Sequence, residues 1–183
     1  MTTLKSICIY CGSSVGAKPE YARAAREMGA LIATSGRSLV YGGGGVGLMG
    51  ETARAAMAAG GHVIGVITTH LNTPERGYRD VELRVVLSMH ERKQMMADLA
   101  DGFIALPGGL GTFDELFEIL TWNQIGLHGK PVGLLNVAGY FDPLLEVIDQ
   151  AVREGFAPGT ARSRMVVGET PSGLLAALDA CVP

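Results

Sequence analysis

Seven short apolar runs, interleaved with six segments of helical periodicity, leave this chain few folds to choose from. The runs occupy residues 6–11, 38–41, 62–67, 82–87, 102–106, 131–135 and 165–167. The helical segments occupy residues 19–34, 47–59, 90–100, 112–126, 141–154 and 171–180. Strands that are apolar throughout, rather than at alternate residues, must be covered on both faces, and parallel strands joined by crossover helices satisfy that demand. The punctuation agrees. Pro19 and Pro171 suit first-turn positions, Thr170 suits an N-cap, and Gly36 and Gly60 suit helix C-termini. No composition or charge shift marks a linker, so residues 1–183 read as one domain. The expected fold is α/β, a Rossmann-like doubly wound, mostly parallel sheet with helices on both faces.

Such sheets bind ligands beyond the carboxyl ends of their strands, where the connections diverge. Three strands here end in turns suited to a ligand: Cys11-Gly12-Ser13-Ser14, Gly42-Gly43-Gly44-Gly45 and Pro107-Gly108-Gly109. Gly12, Ser13, Gly43 and Gly44 are therefore candidate substrate contacts. The third turn runs on as Leu110-Gly111-Thr112-Phe113-Asp114-Glu115, with Phe113, Leu116, Phe117 and Leu120 at helical spacing. Glycines there let an anion approach the free N–H groups at a helix start, so Gly108, Gly109, Leu110, Gly111 and Thr112 read as a phosphate cradle.

Glu115 has two readings. Thr112-x-x-Glu115 has the form of a capping box, in which the two side chains satisfy free amides of the helix start. A carboxylate in the first turn of a phosphate-holding helix also lies within several ångströms of whatever carries the phosphate. Met89-His90-Glu91-Arg92-Lys93 begins another helix at a strand's carboxyl end, so Met89, Arg92 and Lys93 join the candidate substrate contacts. Arg92 has the fork that meets phosphate or carboxylate through two parallel bonds, whereas Lys93 also reads as surface charge. Asp114 and Glu118 read as solvated or structural. The segment 71–80 has no clear period and reads as a loop flanking or covering the site.

Several chemistries are disfavoured. A net charge of −3 without basic clusters argues against a nucleic-acid surface, and no apolar run approaches the roughly 18 residues of a membrane span. The start of the chain enters no signal-type stretch, so a cytoplasmic location is expected. Cys8 and Cys11 spell CxxC without a second ligand pair, and read as buried structural thiols rather than a metal site. Gly45-Val46-Gly47-Leu48-Met49-Gly50 matches GxGxxG, but it follows the second strand, and no acidic residue stands about 20 positions on, near Thr69 and His70. Close helix–sheet packing is the better reading of those glycines. No GxSxG elbow occurs. No metal or cofactor is implied.

Together MHERK at residues 89–93, PGGLGTFDE at 107–115, TWNQ at 121–124 and KPVGLLN at 130–136 resemble the Lonely Guy family of cytokinin-activating enzymes. YGGGGVGLMG at 41–50 and CGSS at 11–14 extend the resemblance over nearly the whole chain; only the loop 71–80, with Glu75, is hard to align. The family pattern PGGxGTxxE is met without departure, and Arg92 falls on the arginine of MHxRK. The resemblance implies a homodimeric phosphoribohydrolase that cleaves N6-substituted adenosine 5′-monophosphates to the free base and ribose 5-phosphate, and it leaves open whether unmodified AMP is also a substrate. Glu115 and Arg92 are the catalytic candidates. Relatives have often been labelled lysine decarboxylases, yet only Lys93 of four lysines stands beside a site residue, and nothing identifies a partner for a pyridinium nitrogen. A noncatalytic nucleotide-binding module of the same fold is the remaining alternative.

Overall fold

The computed structural model describes residues 4–74 and 77–181; Glu75 lies outside the described residues. Seven parallel strands form one sheet in the order β4-β3-β2-β1-β5-β6-β7. They are β1 (Ser6–Tyr10), β2 (Ser38–Tyr41), β3 (Val63–Thr68), β4 (Glu82–Val86), β5 (Gly102–Ala105), β6 (Val132–Leu135) and β7 (Met165–Gly168). The helices are α1 (Pro19–Thr34), α2 (Gly47–Ala58), α3 (Met89–Leu99), α4 (Leu110–Gln124), α5 (Asp142–Arg153) and α6 (Pro171–Asp179). The expected doubly wound architecture is therefore present, with element bounds shifted by a residue or two.

Burial follows the strand order. Every residue of β3, β5 and β6 is buried, whereas the edge strand β4 keeps exposed positions. Successive residues of β1 face opposite layers. Ile7 and Ile9 pack with Met28 and Ile32 of α1, Leu48 of α2 and Leu174 of α6. Cys8 and Tyr10 join Met96 of α3, Leu116 of α4 and Ile148 of α5. Both thiols are unpaired and buried, and burial pushes them up, holding them protonated. No helix among the described residues is long and apolar enough to cross a membrane.

The strand order also locates the crevice. From β1 the chain steps outward through β2 and β3 to β4, then returns over α3 to β5 on the other side of β1. Connections leaving β1 and β5 thus diverge to opposite faces, and the gap lies at their carboxyl ends. Gly12 N–H bonds Pro107 O at 3.0 Å and joins the two turns there.

Terminal signals agree with the sequence: prolines open α1 and α6, the Thr170 hydroxyl accepts from Gly173 N–H, and Gly36 and Gly60 have φ of 75° and 77°. A second glycine role is steric. A Cβ at Gly29, inside α1, would lie 2.2 Å from Thr52 O of α2. Helix propensity favours alanine over glycine there by roughly 0.5–1 kcal/mol, but the overlap with rigid backbone dominates. Gly29→Ala is expected to destabilise the fold by about 1–3 kcal/mol, read as a lower urea midpoint; an unchanged or higher midpoint would show that α1 and α2 separate freely.

Candidate active site

The turn after β5 leads into a helix start that keeps its amides open. Helix α4 begins at Leu110 with Gly109 as N-cap, and no side chain caps it. Its first ladder bond runs from Phe113 N–H to Gly109 O at 3.1 Å. Among the described residues, no protein acceptor meets the N–H groups of Leu110, Gly111 and Thr112. Nothing stands within 4 Å of a Cβ built on Gly109 or Gly111, so the approach is clear. At Gly108 the opposite holds: a Cβ would lie 2.1 Å from Thr112 Oγ1 and 2.8 Å from Gly12 N, so only glycine lets the two turns meet.

The GxGxxG segment at α2 differs. Leu48 and Met49 N–H groups both point at Gly12 O, at 3.0 and 3.3 Å, so that helix start is occupied by protein. Cβ atoms at Gly47 and Gly50 would strike Ser13 and Gly45 backbone at 2.2 Å. These glycines serve close packing, as the sequence led us to expect.

The capping-box reading of Glu115 is overturned. With Leu110 as the first helical residue, Thr112 already lies inside α4 and is buried, and Glu115 lies past the first turn. Glu115 instead pairs with Arg92. Oε1 accepts from Arg92 Nη1 at 3.0 Å, and the two side chains are only 10% and 8% exposed. A real capping box stands at α3, where Ser88 Oγ accepts from Glu91 N–H and Glu91 accepts from Ser88 N–H, both at 3.1 Å.

Arg92 is fixed on three sides. Nε donates to Val66 O at 3.0 Å and Nη2 to Gly42 O at 3.2 Å, so its guanidinium spans β3 and the turn after β2 while reaching α4. Gly42, named from the sequence only as part of the four-glycine turn, makes room for this side chain: a Cβ would sit 2.1 Å from Arg92 Nη2. Burial pushes the Glu115 carboxyl above its ordinary range, although the adjacent Arg92 charge pulls the other way. A carboxylate so placed is a stronger base than one in water.

Two cavities flank Ser13. One, of about 230 Å³, is lined by Gly12, Ser13, Gly108, Gly109 and Tyr140. The other, of about 330 Å³, is lined by Ser13, Gly44, Arg92 and the apolar Met49, Ile67 and Leu71. Leu71 comes from the loop expected to flank the site, which Gly77 tethers through a bridge to Gly44, and Tyr78 N–H through a 3.1 Å bond to Gly43 O. Gly43 itself points away, its absent Cβ facing Ile67 and Leu83. Met89 stands outside the two cavities, 42% exposed. Leu110 is 87% exposed, and its N–H is one of the open amides at the start of α4. Lys93 is engaged elsewhere, with Nζ 3.0 Å from Glu118 Oε1 and 3.2 Å from Asp114 Oδ2. Partial burial opposes its charge, but these carboxylates outweigh that effect and hold its pKa above the usual value.

A family model described as "Possible lysine decarboxylase" matches residues 49–178. The cytokinin riboside 5′-monophosphate phosphoribohydrolase LOG of Oryza sativa subsp. japonica is 50% identical over 98% of this chain and 74% of its own length. LOG1 of Arabidopsis thaliana, which bears the same enzyme name, is 49% identical over 98% and 84%. This chain belongs to the Lonely Guy family. Among solved structures, the molybdenum cofactor carrier protein of Chlamydomonas reinhardtii superposes with a TM-score of 0.72 at 25% identity, covering 97% of both chains. The molybdenum cofactor binding protein of Rippkaea orientalis gives 0.70 at 24%, again with 97% coverage of each. These two likenesses speak to the fold.

The Lonely Guy motifs now have positions. PGGLGTFDE makes the open turn and first turns of α4, MHERK supplies Arg92, and the CGSS and YGGGG segments contribute Gly12, Ser13, Ser14, Gly42 and Gly44 to the flanking cavities. If ionised Glu115 is required for turnover, kcat/KM will fall as pH drops through its elevated pKa. The acid limb is therefore expected above the ordinary carboxylate range, with unit slope, in a pH–rate profile. A limb at or below that range would contradict the desolvated state of Glu115.

Proposed function

We propose that this chain hydrolyses the N-glycosidic bond of N6-substituted adenosine 5′-monophosphates to the free base and ribose 5-phosphate. The observation that carries this reading is the buried Arg92–Glu115 pair, whose carboxylate stands on the helix with the open amides and whose arginine lines the Ser13–Gly44 cavity, in a chain half identical to enzymes of that name. The 5′-phosphate lies against residues 108–112. The ribose then faces Glu115, and the base enters the cavity lined by Met49, Ile67 and Leu71, whose apolar walls suit a hydrocarbon N6 substituent.

The chemistry follows from charge. As the C1′–N9 bond breaks, its electron pair leaves with the base and positive charge builds on the ribose ring. Glu115, little hydrated and fixed by Arg92, stabilises that charge and accepts a proton from the water that attacks C1′. The phosphate anchor positions C1′ against the carboxylate, so its binding energy serves the reaction and not affinity alone. Arg92 orients Glu115 and balances charge as the base departs. A purely noncatalytic binder has less use for this pair, since Glu115 does not cap its helix. The scheme requires no cofactor, and it offers lysine decarboxylation no Schiff-base residue: Lys93 is committed to Asp114 and Glu118.

The working form is proposed to be a cytoplasmic homodimer. Support for two copies meeting comes from the exposed Leu87, Met89, Leu110 and Phe117 around the α3–α4 side of the site.

Base release from N6-isopentenyladenosine 5′-monophosphate, AMP and the two nucleosides tests the reaction. With charge-assisted bonds worth about 1.5–3 kcal/mol each, monophosphates should exceed nucleosides in kcat/KM by about 100-fold or more. Nucleosides cleaved as fast as monophosphates would overturn the phosphate anchor, and carbon dioxide release from lysine would overturn the reaction class.

A further inference from the structure

The loop after β6 does work that the family motifs do not explain. It turns through a single 3-10 segment, Val137–Gly139, in which Ala138 and Gly139 have φ of 52° and 70°. A left-handed alanine is unfavourable by roughly 1–2 kcal/mol and persists only where its surroundings fix it. Here Asn136 does the fixing: Oδ1 accepts from Phe141 N–H and Nδ2 donates to Asp142 Oδ1, each at 2.7 Å. The turn delivers Tyr140 to the crevice. Its ring stands edge-on to Tyr21 and Phe141, with centroids 5.7 and 5.1 Å apart, and its hydroxyl donates a hydrogen bond to Gly108 O.

That bond fixes a direction. In a trans peptide the carbonyl and the following N–H point opposite ways, and the described residues contain no cis bond. Holding Gly108 O toward Tyr140 therefore turns Gly109 N–H away from it. The preceding peptide is held likewise, since Pro107 O accepts from Gly12 N–H. Two adjoining glycines with nothing around Gly109 would otherwise let the Gly108–Gly109 peptide rotate and offer an anion a carbonyl in place of a donor.

We propose that Tyr140 is a positioning residue for the substrate phosphate, acting through the Gly108 carbonyl to hold the Gly108–Gly109 peptide in its anion-binding orientation. The role rests on the proposed phosphate site at residues 108–112. It concerns binding of the phosphoryl group and not the bond-breaking step.

The variant Tyr140→Phe keeps the ring packing and removes only the hydroxyl. Losing one hydrogen bond that sets a donor's direction is expected to raise KM for N6-isopentenyladenosine 5′-monophosphate, and the dissociation constants of orthophosphate and ribose 5-phosphate, by about tenfold. Saturated kcat should change less than twofold, nucleoside cleavage should not change, and the urea midpoint should confirm an intact fold. In NMR titrations with orthophosphate, the Gly109 amide should shift strongly in the wild type and weakly in the variant. Unchanged orthophosphate affinity, or an equal loss on nucleoside and monophosphate, overturns the proposal. Should the wild type bind orthophosphate yet release no base, the proposed reaction fails, while a tenfold loss in Tyr140→Phe still supports this role.

Discussion

The buried pair between Arg92 and Glu115 is the contact on which the crevice depends. Its geometry draws on four segments at once: α3 supplies the arginine, α4 the carboxylate, and the turn after β2 and strand β3 the carbonyls of Gly42 and Val66. Removing one member of such a pair leaves an uncompensated buried charge, an effect of about 3–5 kcal/mol. Arg92 meets that demand with three acceptors, and Gly42 makes room for it by lacking a Cβ. The same desolvation raises the pKa of Glu115 and strengthens its field on a neighbouring cation. The burial that makes the pair matter to stability thus also sets the ionisation of Glu115.

The sheet order explains why the start of α4 keeps open amides and that of α2 does not. Both helices start in glycine-rich turns at strand ends, and both carry a recognisable glycine motif. Gly12, leaving β1, has one N–H and one carbonyl to give. It gives the N–H to Pro107 and the carbonyl to Leu48 and Met49, closing the start of α2 while bracing the turn before α4. Of these two helix starts, that of α4 keeps amides without a protein acceptor among the described residues. Tyr140 completes this bracing from the β6 side.

Much of this was legible because local periodicity and parallel-strand burial report on the same thing. The apolar runs and the proline and glycine punctuation placed strands and helices to within a residue or two, since backbone rules operate over a few positions. The site was legible as a set of residues at strand ends, but not as a set of partners. Thr112-x-x-Glu115 has the spacing of a capping box, and the spacing alone does not say that α4 begins at Leu110. The box that forms, Ser88-x-x-Glu91, carries the same signature and was there to be found. Lys93 with Asp114, Arg92 with Gly42 and Tyr140 with Gly108 join residues 21, 50 and 32 positions apart. Such contacts are set by sheet order, which a single sequence does not display.

The central claim is that the Glu115 carboxylate acts on the glycosidic carbon and is not a structural counter-ion of Arg92. Single-turnover base release by Glu115→Gln, measured beside nucleotide affinity, tests it most directly. The account predicts a dissociation constant for the monophosphate within about threefold of the wild type, and base release slowed by about 100-fold or more, within the range of general acid–base and electrostatic contributions. Undiminished base release by a variant that still binds nucleotide would contradict it.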